Sequence, residues 1–186
     1  MDRDQDFLNY VALRDYKRAI ELALSLSQPG RLFSLFKDVA SEKQTSSISG
    51  STSVDEVVRT LVGSDLVKLL GYVRDWNTNG KTSPVAQRVL FAIFKLHPPD
   101  AIIHVFENDV TEKRYVNNKS ETSSEQHGGR TALKETVEAL IPYSERHLSR
   151  MNKLVQESYV IDYILEEMDG GMFDDQLTET DEMQVD

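Results

Sequence analysis

Cysteine is absent from the 186 residues. No disulfide can therefore staple the fold, no cysteine-based zinc site can hold it, and no thiol nucleophile is available, so a reducing compartment is expected. There is also no apolar run near the roughly twenty residues that span a bilayer. Met1-Asp2-Arg3-Asp4 lacks the basic-then-apolar plan of a secretory signal, and an intracellular, soluble protein is expected. Positive charge is missing from one end: Asp169 to Asp186 carries seven acidic residues and no Lys or Arg, leaving 24 acidic against 21 basic residues elsewhere in a net charge of −10. Such a balance opposes approach to phosphate backbones, so nucleic acid is a poor main ligand for the chain alone.

What is present is helical periodicity. Phe7, Leu8, Val11 and Ala12 share one helix face, and Asp15 reads as the cap of a second helix. There Tyr16, Ala19, Ile20, Ala23 and Leu24 form a stripe widened by Leu22 and Leu26, opposite Lys17, Arg18, Glu21 and Ser25. Gln28-Pro29-Gly30 interrupts the pattern, and Leu32, Phe33, Leu35 and Phe36 resume it, as a short helix–turn–helix hairpin requires. Residues 41–53 are rich in Ser and Thr and predict a flexible loop. Ser53-Val54-Asp55-Glu56 has capping-box form and opens a fourth helix. Gly63-Ser64-Asp65 marks a stop and a new cap, after which Leu66, Leu69, Leu70, Val73 and Trp76 carry a fifth helix to about Asn77.

Pro84 suits the first turn of the next helix, whose buried side is Val85, Val89, Ala92, Ile93 and Leu96. His97-Pro98-Pro99-Asp100 ends it and caps a short helix through Ile102, Ile103 and Phe106. Residues 109–129 are polar, close on Gly128-Gly129, and predict a second disordered insertion. Beyond Thr131 a long helix is expected to Met168, with a kink or restart at Pro142 and a stop at Gly170-Gly171. The fold class predicted is all-α, stacked helical hairpins of α-solenoid-like form closed by a long C-terminal helix. Residues 1–168 form the docking domain, and 169–186 an acidic disordered tail.

No constellation for chemistry emerges. His97, His104, His127 and His147 stand in no metalloprotease spacing, and they read as capping or surface residues. Gly128-Gly129-Arg130-Thr131 lacks the Lys-Ser/Thr ending of a nucleotide loop, and loop flexibility explains it better. Glu166 and Glu167 point about 100° apart on a helix and would not act on one bond. The Asn118-Lys119-Ser120 sequon reads as chance without a secretory signal, and Ser and Thr beside acids in 120–125 and 178–182 read as soluble loop. No enzyme, cofactor or metal is expected.

The remaining signal is apolar surface in excess of one small core. Phe91 falls between Gln87, Arg88 and Lys95 on a helical projection, the wrong side for burial. Met151, Leu154, Ser158, Ile161, Leu165 and Met168 alternate three and four apart, the seam of helices that pack lengthwise, and Tyr159 to Leu165 is apolar nearly all round. The expected partner contacts are Trp76, Phe91, Met151, Leu154, Ile161, Tyr163, Ile164 and Leu165. An alternative is a local basic patch of Arg14, Lys17, Arg18 and Arg31 that binds RNA directly.

Three blocks occur in order: Arg14-Asp15-Tyr16-Lys17-Arg18-Ala19-Ile20 through Gln28-Pro29-Gly30-Arg31-Leu32; Asp75-Trp76-Asn77-Thr78-Asn79 with Val85-Ala86-Gln87; and Leu140-Ile141-Pro142-Tyr143-Ser144-Glu145-Arg146-His147. Over about residues 5–168 the chain resembles the C-terminal helical domain of the transducin-beta-like WD-repeat subunits of the UtpB subcomplex, in the small-subunit processome. The resemblance implies a nucleolar scaffold module that joins the helical C-terminal domains of sister WD-repeat subunits. It further implies indirect contact with the pre-ribosomal particle and its small nucleolar RNA, and support of pre-rRNA processing and 18S rRNA maturation. Neither a membrane nor a small-molecule substrate is expected. The family carries this domain after WD-repeat propellers, which are missing here, so a fragment or truncated product is expected.

Overall fold

The Asp15 carboxylate accepts a hydrogen bond from the Arg18 amide at 3.2 Å, and this cap starts the helix whose apolar stripe organises the core. The computed structural model describes residues 3–42, 47–116 and 125–173, with side chains over 5–42, 47–110 and 128–169. Among the described residues eight helices run in the order α1 (Arg3–Ala12), α2 (Tyr16–Ser25), α3 (Pro29–Ser41), α4 (Thr52–Thr60), α5 (Gly63–Asn77), α6 (Ser83–Leu96), α7 (Pro99–Val116) and α8 (Glu125–Phe173). No strand occurs among the described residues, and the class is all-α, built from helical hairpins. The chain divides into two units, Met1–Ser144 and Glu145–Asp186, so α8 belongs partly to each.

In the first unit, Tyr16, Ala19, Ile20, Ala23 and Leu24 of α2 are all buried. Helix α2 packs on α1 and α3 and also on α4 and α5, which is why its stripe is wide. Helix α6 packs on α3, α4 and α5, and α7 on α5. One hydrophobic cluster results, from Phe7 in α1 to Leu140 in α8, with Ala132 and Leu133 packed against it. Pro29 stands in the first turn of α3, where its missing amide removes no intrahelical bond.

Three segments depart from expectation. The first Ser/Thr-rich stretch is held in part: Asp55 Oδ2 accepts from Ser47 Oγ and the Ile48 amide, both at 2.8 Å, and Oδ1 from the Ser49 amide at 2.9 Å. Helix α4 accordingly begins at Thr52, and Asp55 rather than Glu56 gathers the preceding backbone, so the capping-box reading was displaced. Arg88 of α6 secures the same stretch, donating to the carbonyls of Ala40 at 2.8 Å and Ile48 at 3.3 Å. These charged hydrogen bonds supply what apolar burial does not.

Second, the polar stretch at 109–129 is shorter than expected, because α7 continues to Val116 and α8 starts at Glu125. Gly128 and Gly129 lie inside α8, and a Cβ on Gly129 would come within 2.4 Å of Glu107 Cα. The glycine permits close approach of two helix backbones; it marks neither a loop nor an anion site. Third, α8 runs on through Gly170-Gly171 to Phe173 and continues through Pro142 without a restart, since one missing amide or a weak helix former costs a long helix energy without forbidding it. Residues 174–186, most of the expected acidic tail, lie outside the described residues, as do Asn118 to Ser120 and the Ser and Thr of 120–124 and 178–182.

Candidate docking surfaces

From residue 148 to 169 every residue of α8 is exposed. Leu148, Met151, Leu154, Val155, Tyr159, Val160, Ile161, Tyr163, Ile164, Leu165 and Met168 retain between 50% and 69% of their accessible surface. Successive helical residues turn by about 100°. Met151, Leu154, Ser158, Ile161, Leu165 and Met168 therefore form one slowly drifting seam, and Tyr159, Val160, Tyr163 and Ile164 widen it at its C-terminal end. Monomeric soluble proteins rarely leave so large a contiguous apolar surface uncovered. Of the expected contacts, Met151, Leu154, Ile161, Tyr163, Ile164 and Leu165 all lie on this exposed stretch. Leu148 and Val155 were missed, although they share the seam side of the helix.

Phe91 lies on α6 and is 60% exposed, with Phe94 three residues on also exposed. Phe94 was missed as well, though its spacing from Phe91 puts both on one face. Trp76 is placed differently. It is half-buried at the C-terminal end of α5, with ring centroids of Phe33 at 5.4 Å, Phe36 at 6.4 Å and Tyr72 at 6.3 Å. Its ring is packed within its own fold, and a partner would meet only the remaining edge.

A buried polar clasp lies beneath the family-like blocks. Asn77, fully buried, donates through Nδ2 to the Leu140 carbonyl at 3.3 Å and to Ser144 Oγ at 3.1 Å. Gln87 Nε2 reaches Asn77 Oδ1 at 2.8 Å and Ser144 Oγ at 2.7 Å. The Trp-Asn-Thr-Asn turn, the Val-Ala-Gln helix and the Ile-Pro-Tyr-Ser segment thus meet at one point, tying α8 around Leu140 and Ser144 to α5 and α6. Buried amides demand such partners, and a pattern of that kind has no periodicity by which sequence alone would pair its members.

Among the described residues no group of three His, Asp or Glu side chains converges to hold a metal ion. His97 is buried with Nε2 at 2.7 Å from the Val58 carbonyl, His104 is exposed beside Glu107, and His147 lies 3.4 Å from Arg150. Three of the four residues of the candidate basic patch make contacts within the chain, although the Arg14 and Arg18 side chains stay exposed. Arg14 pairs with Glu42 at 3.7 Å; Arg18 pairs with Asp15 at 3.5 Å and lies over the Tyr10 ring; Arg31 lies over Phe7. No helix among the described residues is by itself long and apolar enough to cross a membrane.

Residues 4–168 match the family described as the Utp13 specific WD40 associated domain. The chain is similar to the U3 small nucleolar RNA-associated protein 13 of Saccharomyces cerevisiae, 28% identical over 177 residues that cover 91% of this chain and 19% of that protein. It is also similar to transducin beta-like protein 3 of Homo sapiens, 24% identical over 166 residues covering 89% of this chain and 17% of that protein. The same protein of Bos taurus is 21% identical over equal coverage. The chain spans less than a fifth of the length of these relatives. Because the match runs from α1 through the clasp to the exposed stretch of α8, the chain belongs to the family of Utp13-specific WD40-associated domains.

Proposed function

We propose that this domain is a non-catalytic docking module that joins helical domains of sister WD-repeat subunits in the UtpB subcomplex of the small-subunit processome. In that setting it supports pre-rRNA processing and 18S rRNA maturation in the nucleolus. The observation that carries the reading is the uncovered apolar face of α8 from Leu148 to Met168, on a chain whose core is complete without it. Burying that face against another chain removes apolar area from water at roughly 25 cal/mol per Å² before the costs of association. The relatives' names, a U3 small nucleolar RNA-associated protein among them, support the ribosomal setting. Phe91 with Phe94 offers a second, smaller contact, and the contacts of Arg14, Arg18 and Arg31 within the chain argue against direct RNA binding as the main role.

The test is size-exclusion chromatography of the full chain with the helical C-terminal domain of a sister subunit at micromolar concentration. Co-migration is expected, and it should weaken only modestly in added salt, since apolar burial carries the contact and flanking charges tune it. A monodisperse monomer that never co-migrates would sink the proposal, and steep loss of RNA affinity with added salt would favour the RNA reading.

A further inference from the structure

The exposed seam carries information about its occupant in the residues beside it. With Met151, Ser158 and Leu165 as a positions and Leu154, Ile161 and Met168 as d positions, the flanking e and g positions of the C-terminal half are Glu157, Asp162, Ile164 and Asp169. Three of these four are acidic, and all three are exposed. No Lys or Arg follows Lys153 anywhere in the sequence, and Lys153 already pairs with Glu157 at 3.7 Å. Flanking charges of this kind select the partner and the orientation of paired helices.

The same positions argue against a second copy of this chain. In a parallel pair, g of one helix faces e of the next heptad on the other, which would set Glu157 against Asp162 on both sides. In an antiparallel pair that stacks Met151 on Met168 and Leu154 on Leu165, the flanking positions meet as Glu157 with Ile164 and Val155 with Asp162. Neither arrangement forms an opposite-charge pair, and the first is repulsive.

Resting on the docking role proposed above, we infer that the occupant of the α8 seam is a basic amphipathic helix of another chain, with an apolar seam of its own and Lys or Arg at its flanking positions. Asp162 and Asp169 select it by charge, while Met151, Leu154, Ile161 and Leu165 provide the buried contact.

The test titrates the full chain into two labelled synthetic heptad peptides with identical apolar seams, one with Lys and one with Glu at e and g, followed by fluorescence anisotropy. The Lys peptide is expected to bind at least about tenfold more tightly, with the preference shrinking in about 0.5 M salt. Asp162→Lys with Asp169→Lys should reverse the preference, and Leu154→Glu with Ile161→Glu should abolish binding of the Lys peptide. Equal affinity, preference for the Glu peptide, binding of neither, or Lys-peptide binding that survives the Leu154→Glu and Ile161→Glu pair would each overturn the inference. So would concentration-dependent self-association of the chain that this pair abolishes. Co-migration with a sister domain that ignores the charge reversal would leave the docking role standing and remove only the charge rule. Selective Lys-peptide binding without sister-domain binding would do the opposite.

Discussion

Asp55 shows how one carboxylate can replace a missing apolar core. Burial pushes its pKa up, but hydrogen bonds from Ser49, the Ile48 amide and Ser47 outweigh that effect, so it titrates below the ordinary aspartate value of 3.8. A depressed carboxyl contributes stability that is present above the unfolded value and lost as pH falls through the lower folded one. Asp55→Asn should therefore lower stability by about 1–3 kcal/mol at pH 7 in urea unfolding. The difference from wild type should close as the pH drops below 3.8. Gly50 is constrained in another way: its φ is +121°, and a Cβ there would come within 2.2 Å of the Val39 carbonyl oxygen. Gly50→Ala should cost about 2 kcal/mol or more, read as a fall in melting temperature. Phe91 is the contrasting case, because most of its surface is exposed. Phe91→Ala should change stability by less than about 0.5 kcal/mol while weakening partner binding.

Among the elements, α8 is the most informative. Its N-terminal part is ordered by specific contacts: Gly129 against Glu107, Arg130 Nε to Glu107 Oε1 at 3.1 Å, Leu140 in the core, and Ser144 in the clasp with Asn77 and Gln87. Removing Asn77 takes one partner each from the part-buried Gln87 and Ser144 groups and from the Leu140 carbonyl. Asn77→Ala should cost about 2 kcal/mol. Its signature in hydrogen exchange should be faster exchange over residues 130–144, with α2 least affected. The long apolar pattern is legible in sequence, but the burial of Leu140 is not; Gly129 reads as a loop because a glycine that permits helix contact and one that ends a helix look alike without the neighbour.

For the whole molecule, separation of the core from the docking face predicts separable mutational effects. Leu154→Glu with Ile161→Glu changes side chains that are exposed, so the thermal unfolding midpoint should move by no more than a few degrees. Co-migration with the partner domain should nevertheless be lost. A large drop in melting temperature would mean that the face is internal packing in solution, and the docking proposal would fall with it.

Periodicity alone determined the class, the order of the helices and most of the core, because an amphipathic stripe such as Tyr16 to Leu24 has only one stable use in water. It also marked Phe91 and the Met151 to Met168 seam as surplus to a small core. Tertiary structure alone decided that Asp55 and Arg88 hold the serine-rich stretch, that Asn77, Gln87 and Ser144 meet, and that Trp76 is spent among Phe33, Phe36 and Tyr72. The reason is physical: apolar burial follows local spacing, while a polar or aromatic contact between distant segments depends on which helices the core brings together.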